Sequence, residues 1–182
     1  LGIGTADVNN DGWDDIFITN DFIANDYLYL NNQDGTFTEQ AHAFLGHNSH
    51  FSMGNDLADF NNDGLVDIVT ADMLPPDNFQ EKKMSGPLNN DLFQYTLQEG
   101  YLPQYMRNNL QINTGGTSAN EQSFSEVGQL VGIDATSWSW APLFADFDND
   151  GLKDLYITNG YLRDITDLDF INYTSTLSGN PT

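Results

Sequence analysis

The chain has 182 residues, of which 39% are hydrophobic and 13% aromatic, so it can bury the core of one domain and is not expected to be disordered. Its 27 acidic residues face only 5 basic ones, and the formal charge of -22 argues against nucleic acid as a direct partner, because phosphates are bound through Lys and Arg. No apolar run approaches the roughly 18 residues of a membrane-spanning helix, and the absence of cysteine excludes disulfides and Cys-based zinc sites.

Three segments of the chain align with one another without gaps. They are ADVNNDGWDDIFITN (6–20), ADFNNDGLVDIVTAD (58–72) and ADFDNDGLKDLYITN (145–159), called here the first, second and third repeat. Their leading aspartates lie 52 and 87 residues apart. A period near 50 predicts a propeller blade or another β-array, and the longer spacing predicts the same unit with an insertion.

Each repeat is predicted to contain short buried strands, because a run of β-branched and aromatic residues follows its acidic loop. The first repeat continues with a second such run at 27–30, an Asp-Gly turn at 34–35 and a third run at 36–38. The second repeat has a matching tail at 110–113 and 123–126. Each unit is therefore predicted to hold about four strands, as a propeller blade does.

The acidic loop of each repeat has Asp at positions 1, 5 and 9, Asp or Asn at position 3, and Gly at position 6. In a tight loop of this kind alternate side chains converge on one centre, the glycine permits the reversal, and the carbonyl of position 7 completes five protein ligands. Ca²⁺ accepts six to eight oxygens and Mg²⁺ demands a stricter octahedron, so about three calcium sites are predicted. The candidate ligands are Asp7, Asn9, Asp11, Trp13 and Asp15 in loop 1; Asp59, Asn61, Asp63, Leu65 and Asp67 in loop 2; and Asp146, Asp148, Asp150, Leu152 and Asp154 in loop 3.

These loops are not EF-hands. An EF-hand carries Glu at position 12 and is flanked by helices, whereas Ile18, Thr70 and Ile157 occupy that position here and the flanks are predicted strands. The alternative interpretation is that Asp-Asn-Gly runs are ordinary turns. That interpretation explains one loop more easily than three loops in the same register, so a strand–loop–strand calcium site is preferred.

The predicted fold class is all-β, a β-propeller segment of about three four-stranded blades with calcium-binding hairpin loops and one partly helical insertion. The blades are expected at about 1–48, 49–132 and 133–182, the last incomplete. The insertion is placed at 74–108 in the second blade, with a short helix at 89–99. Because closed propellers have four to eight blades, we expect the chain to be part of a longer protein.

The repeats resemble the FG-GAP/VCBS repeats of integrin-α-type β-propellers, and the resemblance covers residues 2–72 and 109–160. The stretches NDYLYLNN (25–32), DGTF (34–37) and WSW (138–140) are similar in particular to bacterial proteins related to cartilage acidic protein 1, which often carry an ASPIC/UnbV domain. The resemblance implies a propeller, calcium in the blade hairpins, an extracellular or cell-envelope setting, and adhesive or scaffolding roles.

Three histidines and two aspartates are candidates for further functional sites, but each group also has a simpler structural interpretation. His42, His47 and His50 lie within nine residues and are candidates for a transition-metal site or a pocket lining, but a polar loop between blades is the simpler interpretation. Asp21 and Asp72 follow corresponding strands, and they are expected either to rim a central channel or to lie at solvated strand ends.

Trp138 and Trp140 alternate along a predicted strand, where they form either a sugar-stacking platform or, more simply, inter-blade core.

Catalysis has little support in the sequence. Asp56 is a candidate for an acid pair with Asp59, which is already assigned to calcium. Neither a Gly-x-Ser-x-Gly elbow nor an HExxH motif nor a phosphate-binding glycine loop occurs.

The sequence therefore predicts a calcium-stabilised, non-enzymatic binding or scaffold module, outside the cell or in the bacterial envelope at the outer-membrane surface or in the periplasm. Its expected partners are the remaining blades of a longer chain or another envelope protein, and a cell-surface protein or glycan, without nucleic acid and without membrane insertion. The alternative is an accessory or catalytic module of a secreted polysaccharide-processing system. A third alternative is a structural spacer within a large secreted protein.

Overall fold

The computed structural model describes residues 1–84, 90–116, 123–161 and 167–177. Strands account for 33% of the structure and helices for 21%. The fold is therefore mostly β, with more helix than the predicted all-β class, and it is built from several antiparallel sheets. In the described residues no helix combines the length and apolarity needed to cross a bilayer.

Sheet 1 is a four-stranded antiparallel meander whose strands follow one another in chain order. The predicted runs of β-branched and aromatic residues form its central strands, and Gly35 (φ 87°) makes the turn before the last strand. A short helix then buries Ala41 and Phe44. The elements are β1 (Gly2–Ala6), β2 (Asp15–Thr19), β3 (Tyr27–Asn31), β4 (Phe37–Glu39) and α1 (Ala41–Phe44).

Sheet 2 has the same antiparallel topology, but a partly helical segment is inserted between its second and third strands, as predicted. Its strand order is β6-β7-β9-β10, and β5 pairs in parallel with β8 from the insertion. The elements in chain order are β5 (Asn48–Ser49), β6 (Asn55–Ala58), β7 (Asp67–Thr70), α2 (Asn78–Met84), α3 (Asn90–Gln98), β8 (Gln104–Tyr105), β9 (Asn109–Asn113), β10 (Phe124–Glu126) and α4 (Gly128–Val131).

Sheet 3 has two antiparallel strands among the described residues, β11 (Ser139–Ala145) and β12 (Asp154–Asn159). The four strands predicted for each blade are thus found in sheets 1 and 2. Helix α5 (Leu168–Leu177) follows. It contacts α2, and Lys83 Nζ lies 2.8 Å from Asp167 Oδ2 just before α5 begins.

The three sheets are arranged in repeat order, because the first strand of sheet 2 contacts the first strands of both neighbours: β6 lies against β1 on one side and β11 on the other. Small residues make this close approach possible. A Cβ added at Gly4 would lie 2.2 Å from Leu57 Cδ1, and one at Gly54 would lie 2.7 Å from the Trp140 carbonyl oxygen. The described residues do not form a closed ring, and the predicted blade boundaries stay predictions.

Two hydrophobic clusters occupy the spaces between neighbouring sheets. The first joins sheet 1 to sheet 2 and includes Phe17, Leu28 and Ile68, which are 0–2% exposed. The second joins sheet 2 to sheet 3 through Val69, Leu110 and Phe144, which are 0–6% exposed. Burial of these side chains is the dominant favourable term that holds the repeats together.

Candidate functional site: three acidic loops

Each acidic loop connects the first two strands of its sheet. Loop 1 begins just after β1, and Asp15 at its position 9 is the first residue of β2. Asp67 and Asp154 stand in the same way at the start of β7 and β12. The predicted strand–loop–strand arrangement is therefore the one found, and no helix flanks any of the three loops.

The carboxylate at position 1 organises each loop by accepting two backbone hydrogen bonds. Asp7 accepts the N–H of Asp11 at 2.9 Å and of Gly12 at 2.7 Å. Asp59 and Asp146 accept the equivalent pairs of N–H groups at 2.9–3.0 Å. Position 3 accepts the N–H of position 5 in all three loops, and position 5 accepts the N–H of position 7. The side-chain oxygens at positions 1, 3 and 5 are thereby held in each loop by the same pattern of hydrogen bonds.

Two residues per loop adopt the left-handed backbone conformation. Position 6 is the predicted glycine, with φ between 88° and 90°. Position 4 is an asparagine in every copy, and Asn10, Asn62 and Asn149 have φ between 59° and 64°. Asparagine tolerates this region better than most residues. The sequence reasoning missed this feature, although the repetition of Asn at position 4 in all three loops was the signal for it.

Position 9 differs among the loops. Asp15 is fully buried, and its two oxygens accept the N–H groups of Val8 at 2.9 Å and Asn31 at 2.8 Å. Asp67 is likewise fully buried and accepts the N–H groups of Phe60 at 3.0 Å and Asn113 at 2.8 Å. Burial raises the pKa of both carboxyls above 3.8. These two predicted ligands therefore also brace the loop against the third strand of their sheet.

In loop 3 the carboxylates of Asp146, Asp148 and Asp154 are exposed, and one oxygen of each lies within 4.8 Å of the others. Asp154 accepts the N–H of Phe147 at 3.0 Å. In loops 1 and 2 position 3 is Asn, whose amide donates to the carboxylate at position 5 at 3.1 and 2.9 Å. Asp148 has no such donor, so loop 3 gathers more negative charge. Carboxylate oxygens at this spacing are the ligands that a hard cation such as Ca²⁺ takes.

The remaining predicted ligands lie where the alignment puts them. The backbone N–H groups of Trp13, Leu65 and Leu152 at position 7 donate to the carboxylates at position 5. Ligation by the carbonyls of these three residues stays a prediction. The identity of the ion as Ca²⁺ and the number of about three sites also stay predictions.

The three histidines do not share a site in the part of the chain that the structure describes. The amide of Asn25 lies 3.4 Å from His42 Nε2, and His50 Nδ1 lies 3.2 Å from the side-chain oxygen of Gln104. His47 belongs to a partly buried ion cluster, in which Arg107 Nη2 lies 3.2 Å from His47 Nε2 and 3.3 Å from Glu126 Oε2.

Two other sequence expectations need correction. Asp72 is fully buried, so it neither rims a channel nor ends a strand in solvent; it accepts hydrogen bonds from the Ser49 hydroxyl and from four backbone N–H groups. Trp138 lies before β11 and packs edge-on against Tyr161, so only Trp140 is on the strand, where its ring covers Gly160. Asp56 accepts the N–H of Phe144 at 2.7 Å and braces sheet 3.

One buried acid was not predicted at all. Asp26 is 2% exposed and accepts hydrogen bonds from the backbone N–H of Asn20 and the hydroxyl of Ser52, both at 2.9 Å. Burial raises the pKa of Asp26 to about 7. The sequence offered no signal, because an Asp before a predicted strand is common on protein surfaces.

Residues 7–70 match the model of a family described as FG-GAP-like repeat. The matched stretch begins at position 1 of loop 1 and ends with β7, so it contains loops 1 and 2. It supports the FG-GAP repeat family that the sequence resembles. A search of curated proteins finds no match to the chain.

Proposed function

We propose that this chain is a calcium-stabilised, non-enzymatic binding or scaffold module that works outside the cell or in the bacterial envelope. The FG-GAP-like repeat suggests a protein–protein interaction module. The observation that carries the calcium proposal is the loop geometry, repeated three times, together with the three carboxylates within 4.8 Å of one another in loop 3.

Calcium binding would be linked to folding. Ten of the twelve predicted side-chain ligands are Asp, and the hydrogen bonds of each loop hold the carboxylates close to one another. The unfolded chain does not hold them so, and an ion that binds only the native loops stabilises the native state by mass action. Three Ca²⁺ ions carry six positive charges and would change the formal charge from -22 to -16.

The absence of catalysis is also a proposal, and the burial of the perturbed acids supports it. Within the described ranges, the carboxyls with a raised pKa are Asp15, Asp26, Asp67 and Asp72, and each is 0–2% exposed. A catalytic acid must reach its substrate. An accessory or catalytic module of a polysaccharide-processing system remains the alternative, and hydrolysis of a glycan by the purified protein would favour it.

The proposed location follows from calcium affinity. Oxygen-ligand calcium sites of extracellular modules bind Ca²⁺ at about 10⁻⁴–10⁻³ M, and sites of that affinity fill only in a compartment rich in calcium. The proposed partners are further repeat units and a protein or glycan at the cell surface.

A chelator-stripped sample titrated separately with Ca²⁺ and Mg²⁺ tests the proposal. We expect Ca²⁺ to raise the melting temperature clearly more than Mg²⁺ at equal concentration, and calorimetric titration to give a stoichiometry near three. Asp146→Ala should lower that stoichiometry by one. Asp91→Ala, which removes an equal charge from an exposed position on α3, should leave it unchanged. Equal responses to the two ions, or no binding at millimolar Ca²⁺, would overturn the calcium sites.

A further inference from the structure

One asparagine contacts two of the acidic loops at once. Asn113 is the last residue of β9, the third strand of sheet 2, and it is 3% exposed. Its side-chain amide donates to the Val8 carbonyl of loop 1 at 2.9 Å and to the Val66 carbonyl of loop 2 at 3.2 Å. Its side-chain oxygen accepts the N–H of Gly115 at 3.0 Å, so the orientation of the amide is fixed by its partners. Asn113 is therefore a hydrogen-bonded bridge between loops 1 and 2.

The two carbonyls that this bridge joins lie among the predicted calcium ligands. Val8 at position 2 stands between the predicted ligands at positions 1 and 3, and Val66 at position 8 stands between those at positions 7 and 9. The N–H of Val8 donates to Asp15 at position 9 of loop 1, at 2.9 Å. The N–H of Asn113 donates to Asp67 at position 9 of loop 2, at 2.8 Å. An ion that draws the ligands of one loop together therefore also fixes the backbone that Asn113 contacts.

Sheet 1 holds a matched residue, Asn31, which is the last residue of its third strand. The N–H of Asn31 donates to the position-9 carboxylate of loop 1 at 2.8 Å, and its amide donates to the Asp14 carbonyl at position 8 at 3.1 Å. Its side-chain oxygen accepts the N–H of Gln33 at 2.9 Å. Among the described residues these bonds of Asn31 stay within the first repeat. Asn113 makes the same three bonds in the second repeat and adds a fourth, to the neighbouring loop.

We propose that Asn113 couples the calcium sites of loops 1 and 2, so that an ion in one loop raises the affinity of the other. This coupling rests on the proposed function, because it needs an ion in each loop. The physical cause is shared ordering: an ion that fixes loop 1 also fixes Asn113, so loop 2 loses less conformational freedom when its own ion binds. Coupling between binding sites is reciprocal, so an ion in loop 2 helps loop 1 by the same factor. Asn113 is a positioning residue and not a ligand.

Electrostatics alone gives the opposite sign. An ion in loop 1 makes the surroundings of loop 2 less negative, which weakens the attraction for a second ion. Salt screens exposed charges that are farther apart than the Debye length, about 8 Å at 0.15 M, and acts much less on buried groups. The bridge is buried, so its contribution persists in salt that reduces the repulsion. The sign of the coupling at this ionic strength therefore distinguishes the bridge from charge repulsion.

The glycines at position 6 allow each loop to be followed separately. The N–H of Gly12 donates to Asp7 at 2.7 Å, and the N–H of Gly64 donates to Asp59 at 2.9 Å. An ion bound by these carboxylates changes the surroundings of the two N–H groups. The amide NMR signals of Gly12 and Gly64, in protein with isotope-labelled glycine, therefore report the occupancy of loops 1 and 2 during a calcium titration.

Emptying one loop tests whether the other responds. Asp7→Ala removes the two positive charges of the ion and one negative charge of the side chain, which leaves loop 1 more negative, so electrostatics alone predicts tighter binding at loop 2. The bridge predicts that Gly64 responds at higher calcium in this variant, and that Gly12 responds at higher calcium in Asp59→Ala. The factors by which the two midpoints rise should multiply to about tenfold or more. Circular dichroism verifies that each variant is folded.

A pair of matched variants assigns the coupling to the bridge. Asn113→Ser removes the amide that reaches loop 1 and keeps a hydroxyl oxygen that accepts the N–H of Gly115. Asn31→Ser removes the corresponding bond within the first repeat and is the control. The shift of the Gly64 midpoint caused by Asp7→Ala should disappear in the Asn113→Ser background and persist in the Asn31→Ser background. Asn113→Ala replaces Asn113→Ser if that variant is unfolded.

The outcomes separate failure of the coupling from failure of the calcium sites. Midpoints at Gly12 and Gly64 that do not depend on the other loop would overturn the coupling and leave the sites in place. An emptied loop that tightens its neighbour would show charge repulsion and would also overturn it. Coupling of unchanged size in Asn113→Ser would overturn the assignment of the bridge. If neither glycine responds to millimolar Ca²⁺, the proposed calcium sites fail, and the coupling fails with them.

Discussion

Loops 2 and 3 have the same order of oxygen-bearing residues and the same hydrogen bonds from backbone N–H groups to positions 1, 3 and 5, yet they lie in different surroundings. Asp67 at position 9 of loop 2 is fully buried, whereas Asp154 at the same position of loop 3 is exposed. The difference comes from the neighbouring strand. Asn113 of β9 donates its N–H to Asp67, and the described part of sheet 3 has no third strand to do the same for Asp154.

The comparison separates two roles that one sequence position can have. In a four-stranded sheet the aspartate at position 9 is a structural brace whose oxygens are already hydrogen-bonded. In loop 3 it stands with two other exposed carboxylates within 4.8 Å. An oxygen atom has two lone pairs, so bracing and ligation are compatible. Removing a bracing side chain lowers the stability of the fold, whereas removing a ligating side chain lowers calcium affinity. Variants can measure each loss.

The first prediction compares the segments just before the second and third repeats, where Ser52 and Ser139 occupy equivalent positions. Ser52 donates to the buried carboxyl of Asp26, whereas Ser139 contacts Thr136. Because burial raises the pKa of Asp26 from 3.8 to about 7, the folded state holds this proton more tightly than the unfolded state. Stability contributed by the protonated form is therefore lost as pH rises from about 4 to about 7, by on the order of 4 kcal/mol.

Asp26→Asn checks this prediction. The variant keeps the shape of the side chain but does not titrate, so its free energy of unfolding in denaturant should depend less on pH between 4 and 7 than that of wild type. Asp91→Asn, on exposed α3, should follow wild type. Parallel pH profiles for wild type and Asp26→Asn would show that the carboxyl is not strained by burial.

The second prediction compares the two position-9 aspartates directly in the presence of chelator. Asp67→Ala removes a carboxylate that accepts two backbone N–H groups, each bond to a charged group being worth about 1.5–3 kcal/mol, so we expect a loss of roughly 3 kcal/mol. Asp154→Ala removes an exposed carboxylate with one bond, whose donor water can satisfy instead, so it should cost less than about 1 kcal/mol. Urea unfolding measures both, and equal losses would contradict the assignment of Asp67 as a brace.

Most of the repeat architecture was predictable because it depends on local patterns. The runs of β-branched and aromatic residues, the Asp-Gly turn at 34–35 and the spacing of the three loops predicted the strands of sheets 1 and 2 and the position of the insertion. The burial of Asp72 and Asp26 was not predictable. Each depends on donors distant in sequence, such as Ser49 and Ser52, that the packing of one sheet on another brings into place. The sequence shows that serine donors are present, but it does not show which buried carboxyl each of them reaches.

The third prediction exchanges position 3 between the loops. Asn61→Asp gives loop 2 the four carboxylates of loop 3, and Asp148→Asn gives loop 3 the composition of loop 2. Because the number of charged ligands tunes calcium affinity, we expect the first change to strengthen binding and the second to weaken it by about tenfold, or about 1.4 kcal/mol. Calorimetric titration of each variant reports the change, and affinities that move in the same direction would contradict it.

The smallest expected effect separates backbone conformation from a contact between loops. Asn62 and Asn149 both occupy position 4 with φ near 60°, but only the Asn62 side chain has an interloop bond among the described residues, donating to the Gly151 carbonyl at 3.1 Å. Replacement by Ala should cost about 1 kcal/mol at Asn149, because L-residues with a Cβ disfavour this conformation, and more at Asn62, where the bond to loop 3 is lost as well.

Replacement by Gly should then distinguish the two positions. Glycine adopts φ near 60° without steric cost, so Asn149→Gly should be close to neutral in thermal unfolding. Asn62→Gly also removes the bond to loop 3 and should lose up to about 1 kcal/mol. If the two glycine variants melt alike, the bond between loops 2 and 3 contributes nothing to stability, and the asparagine at position 4 acts through its backbone alone in both loops.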